Sequence, residues 1–263
     1  MNYISGNKEA WEEAFEHRYP NWGDENYKRL LNEKLPFLCK DVVTELQTID
    51  IKNKNVAQFC CNNGRELLSV MQLNAQSGVG FDIAENIIAQ AIETAKKANI
   101  ENCKFVACDI LEIPPNYHNE FDFIFFTIGA ITWFKDLELL FKKVSDCLKP
   151  GGTLMIHDFH PFMNMLAMPG EPEYDEDILN RVAHSYFRET PWIENEGMGY
   201  MSQSYPSKTF ISFSHTMGSI INNVGKSQMR VKRLKEFDYD IGMSDAYDGK
   251  GMPLSFILVA DKE

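Results

Sequence analysis

The chain has 263 residues, of which 44% are hydrophobic and 24% are charged, a composition typical of a soluble globular protein. This length accommodates one sizeable α/β domain with an insertion, or at most two small domains. The formal net charge of −12 argues against a nucleic acid as substrate, because proteins that bind the phosphate backbone concentrate Lys and Arg.

Hydropathy and cysteine usage predict the cellular compartment. No apolar run approaches the length of a membrane span, and the N-terminus lacks the basic-then-apolar order of a secretory signal. The six cysteines form no Cys-x-x-Cys pair and are too sparse for a disulfide scaffold. We therefore expect a cytoplasmic protein with free thiols, no metal site and no membrane partner.

The first 50 residues are predicted to be mainly helical. Residues 8–17 place Trp11 on the apolar stripe of a charged helix, and a turn at 19–23 carries Tyr19. Further helical patterns cover about 25–35 and 37–46. The segment could form a lid that brings Trp11 and Tyr19 to a substrate, or a cap on the sheet edge, and both interpretations stay open.

A buried strand, a tight turn and a helix follow one another between residues 55 and 70. Residues 56–61 are nearly all apolar, Asn62-Asn63-Gly64 follows, and a helical pattern begins at Arg65. Gly adopts positive φ without cost, and Asn is the next most tolerant residue. We expect this turn to present backbone N–H groups to a ligand, since a helix N-terminus after a strand is the usual ligand site of an open α/β sheet. The alternative is an ordinary turn that binds nothing.

Strand and helix alternate along the central part of the chain, which predicts a parallel sheet. The predicted strands are 56–61, 77–81, 104–108, 121–126 and 153–156, and the predicted helices are 65–73, 85–98 and 137–148. Because crossovers between parallel strands are right-handed, the carboxyl ends of these strands should meet at one edge. That edge would gather the turn at 62–64 with Asp82, Asp109, Thr127 and Asp158.

Two acids at strand ends are candidate ligand residues. Asp82 stands where the ribose hydroxyls of an adenosine would fall, and a carboxylate accepts a hydrogen bond from each hydroxyl. It could instead cap the helix that starts near Ala84. Asp109 could bind the exocyclic amine of adenine or simply end a strand. Ile83 and Ile110 could sandwich a flat base, although isolated apolar residues at such places more often belong to the core.

Several stretches of the sequence together resemble the class I S-adenosylmethionine-dependent methyltransferases. The glycine-rich first motif of the family corresponds to Val56-Ala57-Gln58-Phe59-Cys60-Cys61-Asn62-Asn63-Gly64, and its acidic motifs to Gly80-Phe81-Asp82-Ile83 and Ala107-Cys108-Asp109-Ile110. The family's signature after the helix at 137–148 corresponds to Leu148-Lys149-Pro150-Gly151-Gly152-Thr153-Leu154. A final helix at 216–225 and strands at 229–237 and 254–260 match its terminal hairpin. The resemblance covers about four-fifths of the chain, from residue 55 to residue 263.

This resemblance implies a fold, a cofactor and a domain division. The fold would be α/β, with a Rossmann-like seven-stranded mixed sheet whose final strand is antiparallel, and with helices on both faces. Residues 51–162 and 215–263 would form the core, 1–50 an N-terminal helical lid or cap, and 163–214 an insertion after strand 5 that covers the acceptor. The cofactor would be S-adenosyl-L-methionine and the product S-adenosyl-L-homocysteine. The implied cofactor-binding residues are Cys60, Asn62, Asn63, Gly64, Asp82, Ile83, Asp109, Ile110 and Thr127.

The first motif departs from the family at three positions. Gln58 stands where an acid is common, so a negative charge near the cationic sulfonium would be missing. Cys60 and Asn62 stand where the family has small glycines. These departures permit an alternative function, a non-catalytic protein that binds S-adenosylmethionine or S-adenosylhomocysteine. An NAD(P)-dependent oxidoreductase is a further alternative, but the turn lacks the glycines that let a pyrophosphate approach, and the final hairpin does not belong to that fold.

The acceptor side is predicted from residues after strands 4 and 5 and from the insertion, where short strands are predicted at 200–205 and 209–214. His157 and His160 are the candidate general bases, because histidine titrates near neutral pH. His17 and His184 are interpreted as structural. Trp133 and Trp192 are candidate substrate-binding residues, together with Trp11 and Tyr19 of the N-terminal segment. The aromatic and acidic insertion suits a small-molecule acceptor, such as an amine or a ring compound, but its aromatics could instead form a homodimer contact.

Overall fold

The computed structural model of the protein describes residues 2–179 and 181–263. Its strands are β1 (Asn55–Phe59), β2 (Ser77–Asp82), β3 (Cys103–Ala107), β4 (Phe121–Thr127), β5 (Leu148–Phe159), β6 (Trp192–Glu194), β7 (Phe210–Ser212), β8 (Met229–Phe237) and β9 (Ser255–Lys262). Its α-helices are α1 (Tyr3–Glu16), α2 (Asn26–Asn32), α3 (Lys40–Ile49), α4 (Arg65–Met71), α5 (Glu85–Lys97), α6 (Leu137–Cys147) and α7 (Met217–Lys226).

Seven strands form one mixed sheet in the order β3-β2-β1-β4-β5-β9-β8. The first five are parallel, with Gln58 opposite Gly80 and Thr127 opposite His157. β9 inserts between β5 and β8 and is antiparallel to both. The predicted Rossmann-like sheet with an antiparallel final strand is therefore confirmed.

Helices cover both faces of this sheet. On one face, α6 and α7 contribute residues such as Phe141 and Val224 to a core that includes Phe59 and Phe126. On the other, α3 and α4 pack Leu46 and Leu67 against the opposite sides of the same strands. The alternation of side chains along each strand explains why both faces are apolar. The layered arrangement fixes the carboxyl ends of the parallel strands at one edge.

The chain outside the sheet differs from the prediction in several places. α1 begins at Tyr3 rather than at Lys8, because the side chain of Asn2 accepts a hydrogen bond from the backbone N–H of Ile4 and caps the helix. The strand predicted over 200–205 is wrong, since these residues form turns and irregular chain. Within the insertion, β6 and β7 pair as a separate antiparallel hairpin.

The helices of the fold are short and amphipathic. Among the residues that the structure describes, no helix combines the length and apolar character required to cross a membrane.

Candidate functional site

A cavity of about 600 Å³ lies at the carboxyl edge of the parallel strands. Its strand-end wall consists of residues at the carboxyl ends of β1 to β4 or within three positions after them, namely Cys60, Asn62, Asp82, Ile83, Asp109, Ile110 and Thr127. Its outer wall comes from α1, the turn after β4 and the insertion, and includes Trp11, Trp133, Glu171, His184, Trp192 and Glu194. All four tryptophans of the chain line the cavity. A concave, largely apolar space with convergent polar groups is the usual form of a small-molecule site.

The turn after β1 uses left-handed backbone at three alternate residues. Cys60 has φ +55°, Asn62 +48° and Gly64 +73°. This left-handed backbone explains why the family has glycines at the positions of Cys60 and Asn62. Cys and Asn adopt the same conformation here at a small cost in free energy. The expected free N–H groups are not found. The Asn62 N–H donates to Asp82 Oδ2 (2.8 Å), the Asn63 N–H to Asn62 Oδ1 (2.8 Å) and the Gly64 N–H to the Cys61 carbonyl (2.9 Å).

Asn63 and Gly64 lie behind the turn rather than in the cavity, which corrects two predicted ligand contacts. The Asn63 side chain is buried and donates from Nδ2 to Gln90 Oε1 at 3.3 Å. A Cβ on Gly64 would lie 2.3 Å from the ring of Phe105. Glycine is required at position 64 because the side chains of Phe105 in β3 and Ala91 in α5 fill the space that a Cβ would take, and because its φ is positive.

Asp82 lines the cavity and also holds the turn in place. Its Oδ2 accepts from Asn62, and its Oδ1 accepts from the Ala84 N–H at 3.1 Å. Burial raises the pKa of this carboxyl, and the backbone N–H groups oppose the shift. The N-cap residue of α5 is Ala84, whose side chain makes no hydrogen bond, and Glu12 Oε1 of α1 accepts from the Glu85 N–H at 3.3 Å. The Asp82 carboxylate therefore braces the chain around the site and still faces the cavity.

The remaining strand-end residues are arranged as the sequence predicts. Asp109 accepts from the Leu111 N–H at 2.9 Å and lines the cavity beside Ile110. Thr127 lines it as well, and its Oγ1 accepts from Gln58 Nε2 at 2.9 Å. This bond leaves the Thr127 hydroxyl proton free to donate. Gln58 is fully buried and does not face the cavity, so the expected missing charge at that position is not a feature of the cavity wall.

Asp158 shapes the loop that follows β4. Its buried carboxylate accepts from the backbone N–H groups of Ala130 (3.1 Å) and Ile131 (3.2 Å), and also from those of Gly129 and Phe159. Burial raises the pKa of this carboxyl. With so many backbone donors already bound, Asp158 holds the loop that carries Trp133.

The two histidines predicted as bases do not line the cavity. His157 is 3% exposed and lies on the opposite face of the sheet from Asp158, because successive strand residues alternate. Burial lowers its pKa to about 4. His160 Nε2 contacts Glu236 Oε1 at 2.9 Å, and its Nδ1 accepts from the Phe162 N–H at 3.0 Å. Burial also lowers the pKa of His160, while Glu236 opposes the shift. Both predictions of a base are wrong in location.

Aromatic residues form the outer wall over the turn after β1. Trp11 of α1 packs edge-on against Trp133, with ring centroids 5.4 Å apart. The predicted contact by Tyr19 is wrong, because its side chain is 42% exposed and does not line the cavity. Trp22 of the same turn lines the cavity instead, 6.1 Å from the ring of Tyr200. The Tyr200 hydroxyl accepts from Asn62 Nδ2 at 3.1 Å and so joins the insertion to the strand-end wall.

Ionisable residues of the insertion form another part of the outer wall. His184 Nε2 lies 3.4 Å from Glu171 Oε2, and its ring meets Trp192 edge-on at 5.0 Å. Glu194 of β6 faces the same space. Burial raises the pKa of the Glu194 carboxyl, and the nearby Glu171 raises it further. The sequence did not indicate Glu171 or Glu194, and His184 was interpreted as structural, since nothing in the spacing of these residues links them before the insertion folds.

The side chains around the cavity do not form a metal centre. Within residues 2–179 and 181–263, no group of three or more His, Cys, Asp or Glu side chains is placed to hold a metal ion.

Comparison with known proteins identifies the class of domain that this chain resembles. The model of the family described as Methyltransferase domain matches residues 50–196, more than half of the chain. A demethylmenaquinone methyltransferase from Staphylococcus aureus is 30% identical over 107 residues. That alignment spans 40% of this chain and 42% of the relative.

Solved structures share the fold at low sequence identity. An S-adenosylmethionine-dependent methyltransferase from Mesorhizobium loti is 16% identical, with a TM-score of 0.63 over 83% of this chain and 96% of that one. A geranyl diphosphate C-methyltransferase from Streptomyces coelicolor, solved with S-adenosyl-L-homocysteine, is 12% identical. Its TM-score is 0.62, over 100% of this chain and 98% of that one.

Proposed function

The chain belongs to the methyltransferase-domain family, and from this premise we propose that it transfers a methyl group from S-adenosylmethionine to a small organic acceptor. One observation carries the proposal. A single cavity joins the residues at the strand ends, whose chemistry fits the cofactor, to an aromatic and acidic outer wall that suits a second small molecule. Two reactants that share one cavity can be held in line for direct transfer.

S-adenosyl-L-methionine is the cofactor, and the strand-end wall would hold it. Asp82 would accept hydrogen bonds from the ribose hydroxyls, and Asp109 from the amine of adenine. Ile83 and Ile110 would flank the base, and Thr127 would donate its free hydroxyl proton near the methionine part. The sulfonium supplies an activated methyl group when the cofactor is bound. The protein's own contribution is to bind, to orient and to exclude water.

The outer wall would bind and cover the acceptor. Trp11, Trp133 and Trp192 offer large apolar surfaces, and this supports a role for residues 1–50 as a lid and for 163–214 as the acceptor-covering insertion. A small molecule suits this enclosed wall better than a nucleic acid, which would also be repelled by the net charge of −12. Orientation of two reactants in such a space can lower a barrier by roughly 7–11 kcal/mol in favourable cases.

Titration calorimetry with S-adenosylmethionine, S-adenosylhomocysteine and NADH tests the proposal. We expect micromolar binding of both sulfur ligands and none of NADH. Binding of S-adenosylhomocysteine alone would favour the non-catalytic sensor, and binding of NADH alone would favour the oxidoreductase. If neither sulfur ligand binds, Cys60 and Asn62 close the site and the proposed function is wrong.

A further inference from the structure

The outer wall contains a histidine held by a glutamate, beside a second glutamate. His184 and Glu171 face each other at 3.4 Å through Nε2 and Oε2, and Glu194 lines the same cavity. Each group is fixed by the chain around it. The backbone N–H of His184 donates to the Met165 carbonyl at 3.1 Å, and Glu171 Oε2 accepts from the Met168 N–H at 3.0 Å. The pair is therefore tied to the segment that directly follows β5.

Glu194 differs from the acids of the strand-end wall. Asp82, Asp109 and Asp158 each accept backbone hydrogen bonds. Glu194 has no hydrogen bond or ion pair with any side chain in the described parts of the chain. It belongs to β6, so its backbone is held by pairing with Phe210 while its carboxylate remains available in the cavity.

The balance of charge around the cavity is strongly negative. Its described lining contains six carboxylates, those of Glu66, Asp82, Asp109, Asp158, Glu171 and Glu194. Arg65 is the one guanidinium in that lining, and it pairs with Glu66 at 2.8 Å. Arg188 lies 3.7 Å from the ring of Trp192 but does not reach the cavity. No Lys or Arg side chain in the described lining pairs with Glu171 or Glu194, so a cationic molecule would complement these carboxylates better than an anionic one.

We propose that the acceptor is an amine that binds as its ammonium form between Glu171 and Glu194, and that His184 takes its proton before methyl transfer. This inference rests on the proposed function and names the acceptor class of the same site. With Nε2–H directed at Glu171, His184 keeps a lone pair on Nδ1 to receive the proton. Trp133 and Trp192 line the same cavity and offer apolar surface to the rest of the molecule, although one face of the Trp192 ring is covered by Arg188.

The chemistry balances with the groups present. The ammonium loses one proton to His184, and the freed nitrogen lone pair forms a bond to the methyl carbon. The carbon–sulfur bond breaks, and its electron pair stays on sulfur. Positive charge thus moves from sulfur to nitrogen, where Glu194 stabilises it as it develops. A phenolate, carboxylate or phosphate acceptor would instead be repelled by both glutamates.

The first experiment measures charge selectivity with three probes of similar shape. Benzylamine, benzyl alcohol and benzoate are titrated into the protein saturated with S-adenosylhomocysteine, and tryptophan fluorescence is followed. All four tryptophans line the cavity, so the signal reports on this site. We expect benzylamine to bind about tenfold more tightly than benzyl alcohol, and benzoate more weakly than either.

Matched variants assign this selectivity to the proposed residues. Glu194→Gln and Glu171→Gln should each reduce the preference for benzylamine to about twofold, because the amide has no charge. Glu173→Gln, an exposed change in the same insertion, should leave it intact. Equal affinity for benzylamine and benzyl alcohol in the unmodified protein would overturn the inference. So would a preference that survives in the Glu194 and Glu171 variants.

The position of His184 is tested by NMR of the histidine side chains. The imidazole signals of His184 are assigned as those that disappear in His184→Gln. Addition of benzylamine should shift these signals, whereas the signals of the exposed His118 should not move. Unchanged His184 signals with benzylamine bound would exclude it as the proton acceptor. Binding of S-adenosylhomocysteine is measured first in every case. If that ligand fails to bind, the proposed function fails, whereas normal cofactor binding without amine selectivity overturns the acceptor inference alone.

Discussion

The two walls of the cavity are built in opposite ways. On the strand-end wall, the carboxylates of Asp82, Asp109 and Asp158 are occupied by backbone N–H groups, and the turn after β1 satisfies its own donors. On the outer wall, Glu194 has no partner among the described side chains, and tryptophans from separate parts of the chain contribute to the surface. The first wall is fixed by the sheet, and the second is assembled from segments outside it.

This difference matches two functional requirements. A wall that binds one invariant cofactor benefits from groups that are already oriented before binding. A wall that selects an acceptor can vary with loops and insertions while the scaffold stays the same. Tyr200, which bonds Asn62, is a contact through which the two walls affect each other. Substitutions in each wall can therefore show how far its stability and its ligand affinity depend on the sheet.

The largest effect is expected at Gly64, which lies behind the strand-end wall and packs against the ring of Phe105. In Gly64→Ala, the positive φ costs about 1–2 kcal/mol and the contact with Phe105 adds about 1–3 kcal/mol. Gly151→Ala is a matched control, since Gly151 has φ +75° and nothing lies within 4 Å of the place that a Cβ would take. Urea unfolding should therefore show a loss of about 4 kcal/mol for the first variant and about 1–2 kcal/mol for the second. Equal losses would mean that the Phe105 contact is unimportant.

The pH dependence of stability tests whether the buried His157 at the end of β5 has a structural rather than a catalytic role. Its pKa is about 4 when folded and 6.5 ordinarily, so the unfolded chain binds more protons between these values. The contribution of His157 to the free energy of unfolding is fully present above pH 6.5. It is lost as the pH falls towards 4, and the loss is at most about 3 kcal/mol. His157→Gln should remove this part of the pH dependence, measured by urea unfolding from pH 7 to pH 4.

The exposed His118 supplies the control for this test. His118→Gln should leave the pH dependence unchanged. A variant of His157 that retains the full slope would contradict the assignment of that slope to this residue.

Asp82 tests the cofactor assignment of the strand-end wall. Asp82→Ala should weaken binding of S-adenosylhomocysteine by about 30- to 100-fold, because charged hydrogen bonds are worth about 2–3 kcal/mol. Asp136→Ala is the control, since Asp136 also accepts two backbone N–H groups, from Glu138 and Leu139, but lies at α6 away from the cavity. Calorimetry should show full affinity in this control. Intact binding in Asp82→Ala would exclude the ribose contact.

A substitution of Asn7 tests the hydrogen bonds that join α1 to the insertion in the outer wall. Its buried amide donates to the Ile211 carbonyl and accepts from the Ile211 N–H, both at 2.8 Å, so it joins α1 to β7. Asn7→Ala should speed amide exchange in β7 by about tenfold and increase protease cleavage within residues 163–210. Cofactor affinity should not change. Asn32→Ala, which removes a surface amide from α2, should alter neither measurement.

Cofactor and acceptor together should also reduce cleavage of residues 163–210 in the unmodified protein. An unchanged cleavage rate would count against the insertion as an acceptor cover. The homodimer contact remains a prediction that sedimentation can test.

The strand-end wall was largely predictable from sequence because its positions depend on local rules. Right-handed crossovers bring strand ends to one edge, and side chains that directly follow a strand must lie there. Seven of the nine predicted cofactor residues line the cavity for this reason. Asn63 and Gly64 do not, since the same turn that bends the backbone directs them against Gln90 and Phe105.

The outer wall was predicted only in part, since Trp11, Trp133 and Trp192 line it but its other residues were not expected there. His157 and Asp158 are neighbours in sequence but face opposite sides of the sheet, and the sequence alone did not indicate which side faces the cavity. Trp22 lines the cavity instead of Tyr19 because the turn between α1 and α2 is oriented by tertiary contacts. Short-range periodicity carries no information on such orientations.

By itself, the sequence determined the parallel strands, their helices and the acids at the sheet edge, because hydrophobic period and turn chemistry act over a few residues. The antiparallel final strand was expected only from the family resemblance. The tertiary structure decided which side chains share the cavity with those acids. His184, Glu171 and Glu194 are separated by up to 23 positions and meet only after the insertion folds over β5. Contacts of that kind arise from long-range packing, which has no local signature in the chain.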